Sequence, residues 1–205
     1  MQKNQFSWRT ALIIPAIIMG MLSCAPSPAP TPHSWTIDSA ASQITLFAIK
    51  ADAIGETFTL DVTEGSISST GAAQVIIGLQ SIETGIPIRN GRMREHLFKI
   101  ADWPLAKVSG QIDLGHAQNL TIGQRLDITT EMTVDLHGIS NIYDVKFVLT
   151  RLSASRVLVQ SAQPISVTAD DFELNEGLAK LQQLVDLPSI TPVVAVSFTL
   201  VFQGV

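Results

Sequence analysis

Cysteine is nearly missing from this chain: Cys24 is the one example in 205 residues. A lone thiol cannot close an internal disulfide, so a disulfide-stapled scaffold and a cysteine-rich zinc module are both excluded. Histidine is scarce as well. His33, His96, His116 and His137 stand far apart, and no two share a helix face at ligand spacing. No metal site is expected. Positive charge is the minority sign, with 13 basic residues against 18 acidic ones. Such a chain is a poor match for phosphate backbones, so no nucleic acid partner is expected. Catalytic signatures are also missing: there is no Gly-x-Ser-x-Gly elbow and no Gly-rich phosphate loop. The acids are spread along polar strand faces, and Asp170-Asp171 reads as a turn cap rather than a paired acid and base. The chain is therefore expected to have no catalytic residue and no cofactor, and not to be an enzyme.

A long apolar run is present only at the start. Lys3 and Arg9 precede a nearly uninterrupted apolar stretch from Ala11 to Leu22, followed by the small residues Ser23 and Ala25. That order is the order of a secretory signal peptide. The stretch is about half the ~20 residues a membrane-spanning helix needs, and Pro15 interrupts it, which argues against a permanent anchor helix. Met21-Leu22-Ser23-Cys24 looks like a lipoprotein signal, with Met21 where leucine is usual. Residues 1–23 are read as the signal peptide, Cys24 as the lipidation site, and residues 24–34 as a Pro-rich tether that keeps an extended path. Removing 1–23 takes away Lys3 and Arg9 and no acid, which moves the formal charge from −5 to −7. The expected location is the bacterial envelope: an exported periplasmic or outer-membrane lipoprotein, held to the membrane by its N-terminal lipid.

Residues 35–205 read as one domain dominated by alternation with period two. In the clearest case Leu126, Ile128, Thr130, Met132, Val134 and Leu136 fall on one face, with polar residues from Arg125 to His137 on the other. That is a long antiparallel strand with one wet side. Similar runs occupy about 42–50, 56–63, 74–80, 105–114, 143–152, 156–168 and 193–203. About eight long strands favour a single closed antiparallel barrel, since closure removes exposed edges; a two-sheet sandwich is the alternative. Two stretches break the pattern. Arg89 to Phe98 reads as a short helix, and Asn175 to Leu187 as an amphipathic helix capped by Asn175, stopped before Pro188, and lying on the sheet or over one of its openings.

Candidate lining residues of the barrel are Phe47, Phe58, Val75, Ile77, Leu79, Met93, Leu97, Phe98, Val108, Ile112, Ile128, Met132, Val134, Val145, Phe147, Phe198 and Leu200. A barrel of eight strands is close to the size that side chains fill, and it can also hold one slender ligand. Periodicity does not separate the two cases. Arg89, Arg92 and Arg94 with Glu95 form the one charge cluster of interest, either a polar helix face with local pairing or a cationic rim for an anionic headgroup. His137, on the polar face of its strand, reads as exposed or hydrogen-bonded.

Ordered landmarks resemble the YceI-like family. They are Trp35-Thr36-Ile37-Asp38, Ser42-Gln43-Ile44-Thr45-Leu46-Phe47, Ser81-Ile82-Glu83-Thr84, Arg94-Glu95-His96-Leu97-Phe98, Thr133-Val134-Asp135-Leu136-His137-Gly138-Ile139-Ser140 and Ala169-Asp170-Asp171-Phe172. Together they cover essentially all of residues 33 to 203. The chain departs from the commonest pattern between Thr84 and Leu97, as though a short segment were inserted. The resemblance implies an all-β, lipocalin-like antiparallel barrel with one or two short helices, whose apolar lumen binds a polyisoprenoid-like lipid. It implies non-enzymatic carriage or sequestration of that lipid. An envelope protein-interaction module with a filled barrel and no ligand is the alternative.

Overall fold

A computed structural model describes residues 34–205. The expected signal peptide, Cys24 and the tether up to His33 lie outside the described residues. Ten strands follow in chain order: β1 (Trp35–Ile37), β2 (Gln43–Lys50), β3 (Ile54–Ile67), β4 (Ala72–Glu83), β5 (Leu105–Gln111), β6 (Arg125–Leu136), β7 (Ile139–Ser153), β8 (Arg156–Ser161), β9 (Ile165–Thr168) and β10 (Val193–Gly204). Every pairing is antiparallel. The strands run side by side from β2 to β8, and β10 pairs with both β2 and β8, which closes the ring. The sandwich alternative is thereby excluded.

Ten strands make eight staves because two staves are broken. The expected run 156–168 divides at Ala162–Pro164. β8 lies against the C-terminal half of β10, and β9 against its N-terminal half. Pro164 has no N–H to give a ladder, so the break falls where pairing costs least. On the other side of β10, β2 pairs with its N-terminal half and β1 with its end, across a 3-10 turn at Ser39–Ala41. β1 itself was not anticipated as a strand. Its three residues are too few for periodicity to register.

At the β6–β7 hairpin the chain turns over His137 (φ 54°) and Gly138 (φ 79°), between the paired Leu136 and Ile139. Two consecutive positive φ values are what a tight two-residue hairpin demands. A Cβ on Gly138 would also stand 2.6 Å from the Trp103 ring. The polar-face reading of His137 therefore fails: the strand ends at Leu136. The imidazole packs 5.9 Å from Trp103, and its Nε2 is buried without a hydrogen-bond partner among the described residues.

Two short helices sit at one end of the barrel. α1 (Pro87–Arg92) begins with Pro at its first turn, where a missing N–H costs nothing, and continues as a π-helical turn over Met93–Leu97. Buried Asn90 fixes its entry: Oδ1 accepts from the Thr84 N–H (3.0 Å) and the Thr84 hydroxyl (2.5 Å). α2 (Asn175–Leu184) ends before the expected Leu187, with Val185 as its C-cap. Asn175 is the first helical residue and not the cap; its side-chain amide donates to Asp170 Oδ1 at 2.9 Å. No helix among the described residues is long and apolar enough to cross a membrane.

Candidate functional site

Period-two alternation turns one row of side chains from each stave inward, and those rows leave a space between them. Ile44, Leu46 and Ala48 of β2, Phe58 and Leu60 of β3, Val75, Ile77 and Leu79 of β4, and Val196, Phe198 and Leu200 of β10 all face a cavity of about 500 Å³. A volume of that size is ordinary for a small-molecule site. The barrel is not filled. At one end, Ile86, Ile88 and Val185 line the cavity yet are exposed (43, 63 and 47%), which marks the opening. α2 lies across that opening, with Leu178 and Leu181 turned into the cavity. The loop after α2 is tied to the β2–β3 tip: Ala51 N–H donates to the Ser189 carbonyl (2.9 Å), and the Ser189 hydroxyl donates to Asp52 Oδ1 (2.5 Å). The chain enters at the far end, where Trp35 pairs with Gly204 and buried Arg151 stacks 5.3 Å over the Trp35 ring.

The apolar candidates Phe58, Val75, Ile77, Leu79, Met93, Leu97, Phe98, Val108, Ile112, Met132, Val134, Val145, Phe147, Phe198 and Leu200 all line the cavity. Phe47 and Ile128 do not. Strand parity sends Ile44, Leu46 and Ala48 inward and hence Phe47 outward, where it is 46% exposed and lies over Gly55 of the neighbouring strand. Ile128 lies where β6 runs past its pairing with β5, and it packs against the core outside the cavity wall.

The arginines part company. Arg89 and Arg92 reach the cavity; Arg94 turns away and donates to the Ile82 carbonyl at 3.4 Å. Arg89 pairs not with a helix neighbour but with Glu56 of β3, donates to the Thr84 carbonyl at 2.6 Å, and holds its guanidinium 4.9 Å over the Phe58 ring. Lys50 donates to the same Glu56 carboxylate at 2.8 Å. The Arg89 hydrogen bond holds the Glu56 carboxyl below the usual range, with Lys50 adding to it and partial burial opposing both. Local pairing on one helix face is therefore corrected to a cross-element cluster at the mouth.

Asp170-Asp171 caps a turn, as its sequence suggested. Asp171 Oδ2 accepts from the Thr168 N–H (3.0 Å) and the Tyr143 hydroxyl (2.8 Å), over a fully buried Phe172. Burial first, and Asp171 second, keep the Tyr143 hydroxyl far above its ordinary pKa, so it stays a neutral donor. Lys50, Glu56 and Tyr143 were not singled out from the sequence, yet parity carries the signal. Lys50 continues the Ile44-Leu46-Ala48 row, Glu56 precedes Phe58 and Leu60, and Tyr143 shares the phase of Val145 and Phe147. No cluster of three metal-ligating side chains occurs among the described residues.

With this geometry in place, likeness to known proteins becomes informative. A family model described as the YceI-like domain matches residues 35–202. A solved structure described as a polyisoprenoid binding domain from Saccharophagus degradans, implicated in plant cell wall breakdown, shares 36% identity. That likeness covers 83% of this chain and 98% of that one with a TM-score of 0.81. Burkholderia cenocepacia BcnA shares the fold at 14% identity, covering 80% of this chain and 98% of that one with a TM-score of 0.56. No curated protein sequence matches the chain.

Proposed function

The chain belongs to the YceI-like domain family, and from that premise we propose that it binds a long, slender apolar lipid of the polyisoprenoid type, to carry or sequester it without chemical change. The observation that carries this reading is the open, almost wholly apolar cavity of about 500 Å³. Burying a methylene is worth ~0.8 kcal/mol, so a chain of some twenty carbons offsets the ~4–15 kcal/mol cost of association without one hydrogen bond. Cavity length and width then set selectivity. The polyisoprenoid binding described for the Saccharophagus degradans domain supports this choice of ligand class.

The place of action belongs to the same proposal: the bacterial envelope, reached through the signal at 1–23 and held by a lipid on Cys24, with residues 24–34 as tether. A carrier of insoluble cargo gains from being kept where the cargo lives, and di- or triacylation is enough for stable attachment. One preparation tests both parts. In fractionated cells the full chain should sediment with membranes, a Cys24→Ser variant should be released, and native mass spectrometry of that released variant should show a bound lipid mass. A variant still held on membranes contradicts the anchor; a released protein free of lipid contradicts the ligand.

A further inference from the structure

Among the described residues the charged side chains on the cavity wall are four: Lys50, Glu56, Arg89 and Arg92. Three are cations and one is a carboxylate, in a chain whose net charge is −5. Glu56 is shared by Lys50 and Arg89. Arg92 forms no ion pair and no side-chain hydrogen bond among the described residues. Among the described residues no other acid lines the cavity, and Asp186, between the lining residues Val185 and Leu187, forms no ion pair. Glu83 accepts from the Gly85 N–H at 2.6 Å, Asp52 accepts from Ser189, and Glu95 is 76% exposed beside His96. The wall thus carries a formal excess of two positive charges at the neck of an apolar space. Arg89 is further held in place by Thr84 and Phe58, which leaves Arg92 as the free donor beside Ile88 at the opening.

A lipid whose tail fills the cavity has to leave its other end among these groups. Three cations around one carboxylate favour an anion there, and a guanidinium gives a carboxylate or phosphate two parallel hydrogen bonds. We propose that the preferred ligand is a single-chain amphiphile with an anionic head, and that Arg92, assisted by Lys50, receives that head at the mouth. This deepens the lipid-binding reading and rests on it.

Displacement of a neutral fluorescent probe, N-phenyl-1-naphthylamine, from lipid-stripped protein tests the inference. Hexadecanoate is compared with hexadecanol, and farnesyl diphosphate with farnesol, all below their aggregation concentrations; the two pairs separate a carboxylate source from a phosphate source. At least one anion should bind about tenfold more tightly than its alcohol, the effect of one charge-assisted hydrogen bond. In an Arg92→Gln variant the ratio of anion to alcohol affinity should fall several-fold. A Lys50→Gln, Arg92→Gln double variant should lose the preference. Equal binding of acid and alcohol by the unmodified protein, or a preference that survives both substitutions, overturns the head site and leaves lipid carriage standing. Failure of all four compounds to displace the probe overturns the lipid reading itself.

Discussion

Glu56 shows how much a single inward position can decide. Its carboxylate accepts from Lys50 and Arg89 on two separate elements, so it fixes α1 to the strands at the barrel mouth. Since its folded pKa lies below the ordinary glutamate value of about 4.3, its contribution to stability is fully present above that value. That contribution is lost as pH falls through the folded pKa. A Glu56→Gln variant should be less stable by about 1–3 kcal/mol at neutral pH, since both cations lose their partner in a half-buried setting. Denaturant unfolding of both proteins from pH 7 down to pH 3 should show the gap closing in acid; a constant gap would show that the carboxylate's charge is idle. Parity in the sequence announces Glu56 as inward but cannot say that Arg89, 33 positions away, will meet it. Phe47 illustrates the opposite limit: it is large and apolar, yet strand phase sends it to the surface, and phase outranks residue type.

The long strands were legible as elements because each carries its own period; three-residue β1 and the break between β8 and β9 were not. The helices were legible in position and less so in detail. Arg89 to Phe98 is half α and half π, and this change of pitch carries Met93, Leu97 and Phe98 to the cavity wall. Nothing in side-chain spacing distinguishes a four-residue from a five-residue turn over so short a run. α2 depends on a close approach that only three dimensions reveal. A Cβ at Gly177 would stand 2.5 Å from the His96 carbonyl oxygen and 2.9 Å from the Leu97 Cα. Both are backbone atoms, which cannot yield without moving the helix away from the π-helical turn. Alanine is the better helix former by about 1 kcal/mol, so in an unpacked helix Gly177→Ala would stabilise. Here it should lower the melting temperature by a few degrees and speed amide exchange throughout α2. A stabilised variant with slower exchange would show that the contact is not tight.

At the scale of the whole molecule, an all-β barrel of eight staves was legible from strand number and length together with the family landmarks. What the period could not supply was closure, set by the register Thr199↔Gln160 and its neighbours between β10 and β8, and the space that closure leaves. A filled and a hollow barrel share one alternation pattern and differ only in the summed bulk of the inward rows. Ala48, Ala73 and Ala106 keep that bulk low, and all three face the cavity. Trp35 lies at the end of the barrel opposite the mouth, so the tether proposed for residues 24–34 would leave the mouth free to meet cargo. Ala106→Phe is the most direct test of a lumen kept open for a ligand. In a solid core the extra ring would cost about 1–3 kcal/mol or more through overpacking, whereas an open lumen accepts it. Titration of the lipid-stripped protein with farnesol should show saturable binding that weakens at least tenfold in this variant, with the melting temperature nearly unchanged. Unaltered farnesol binding, or a variant destabilised as a full core would be, would contradict the account.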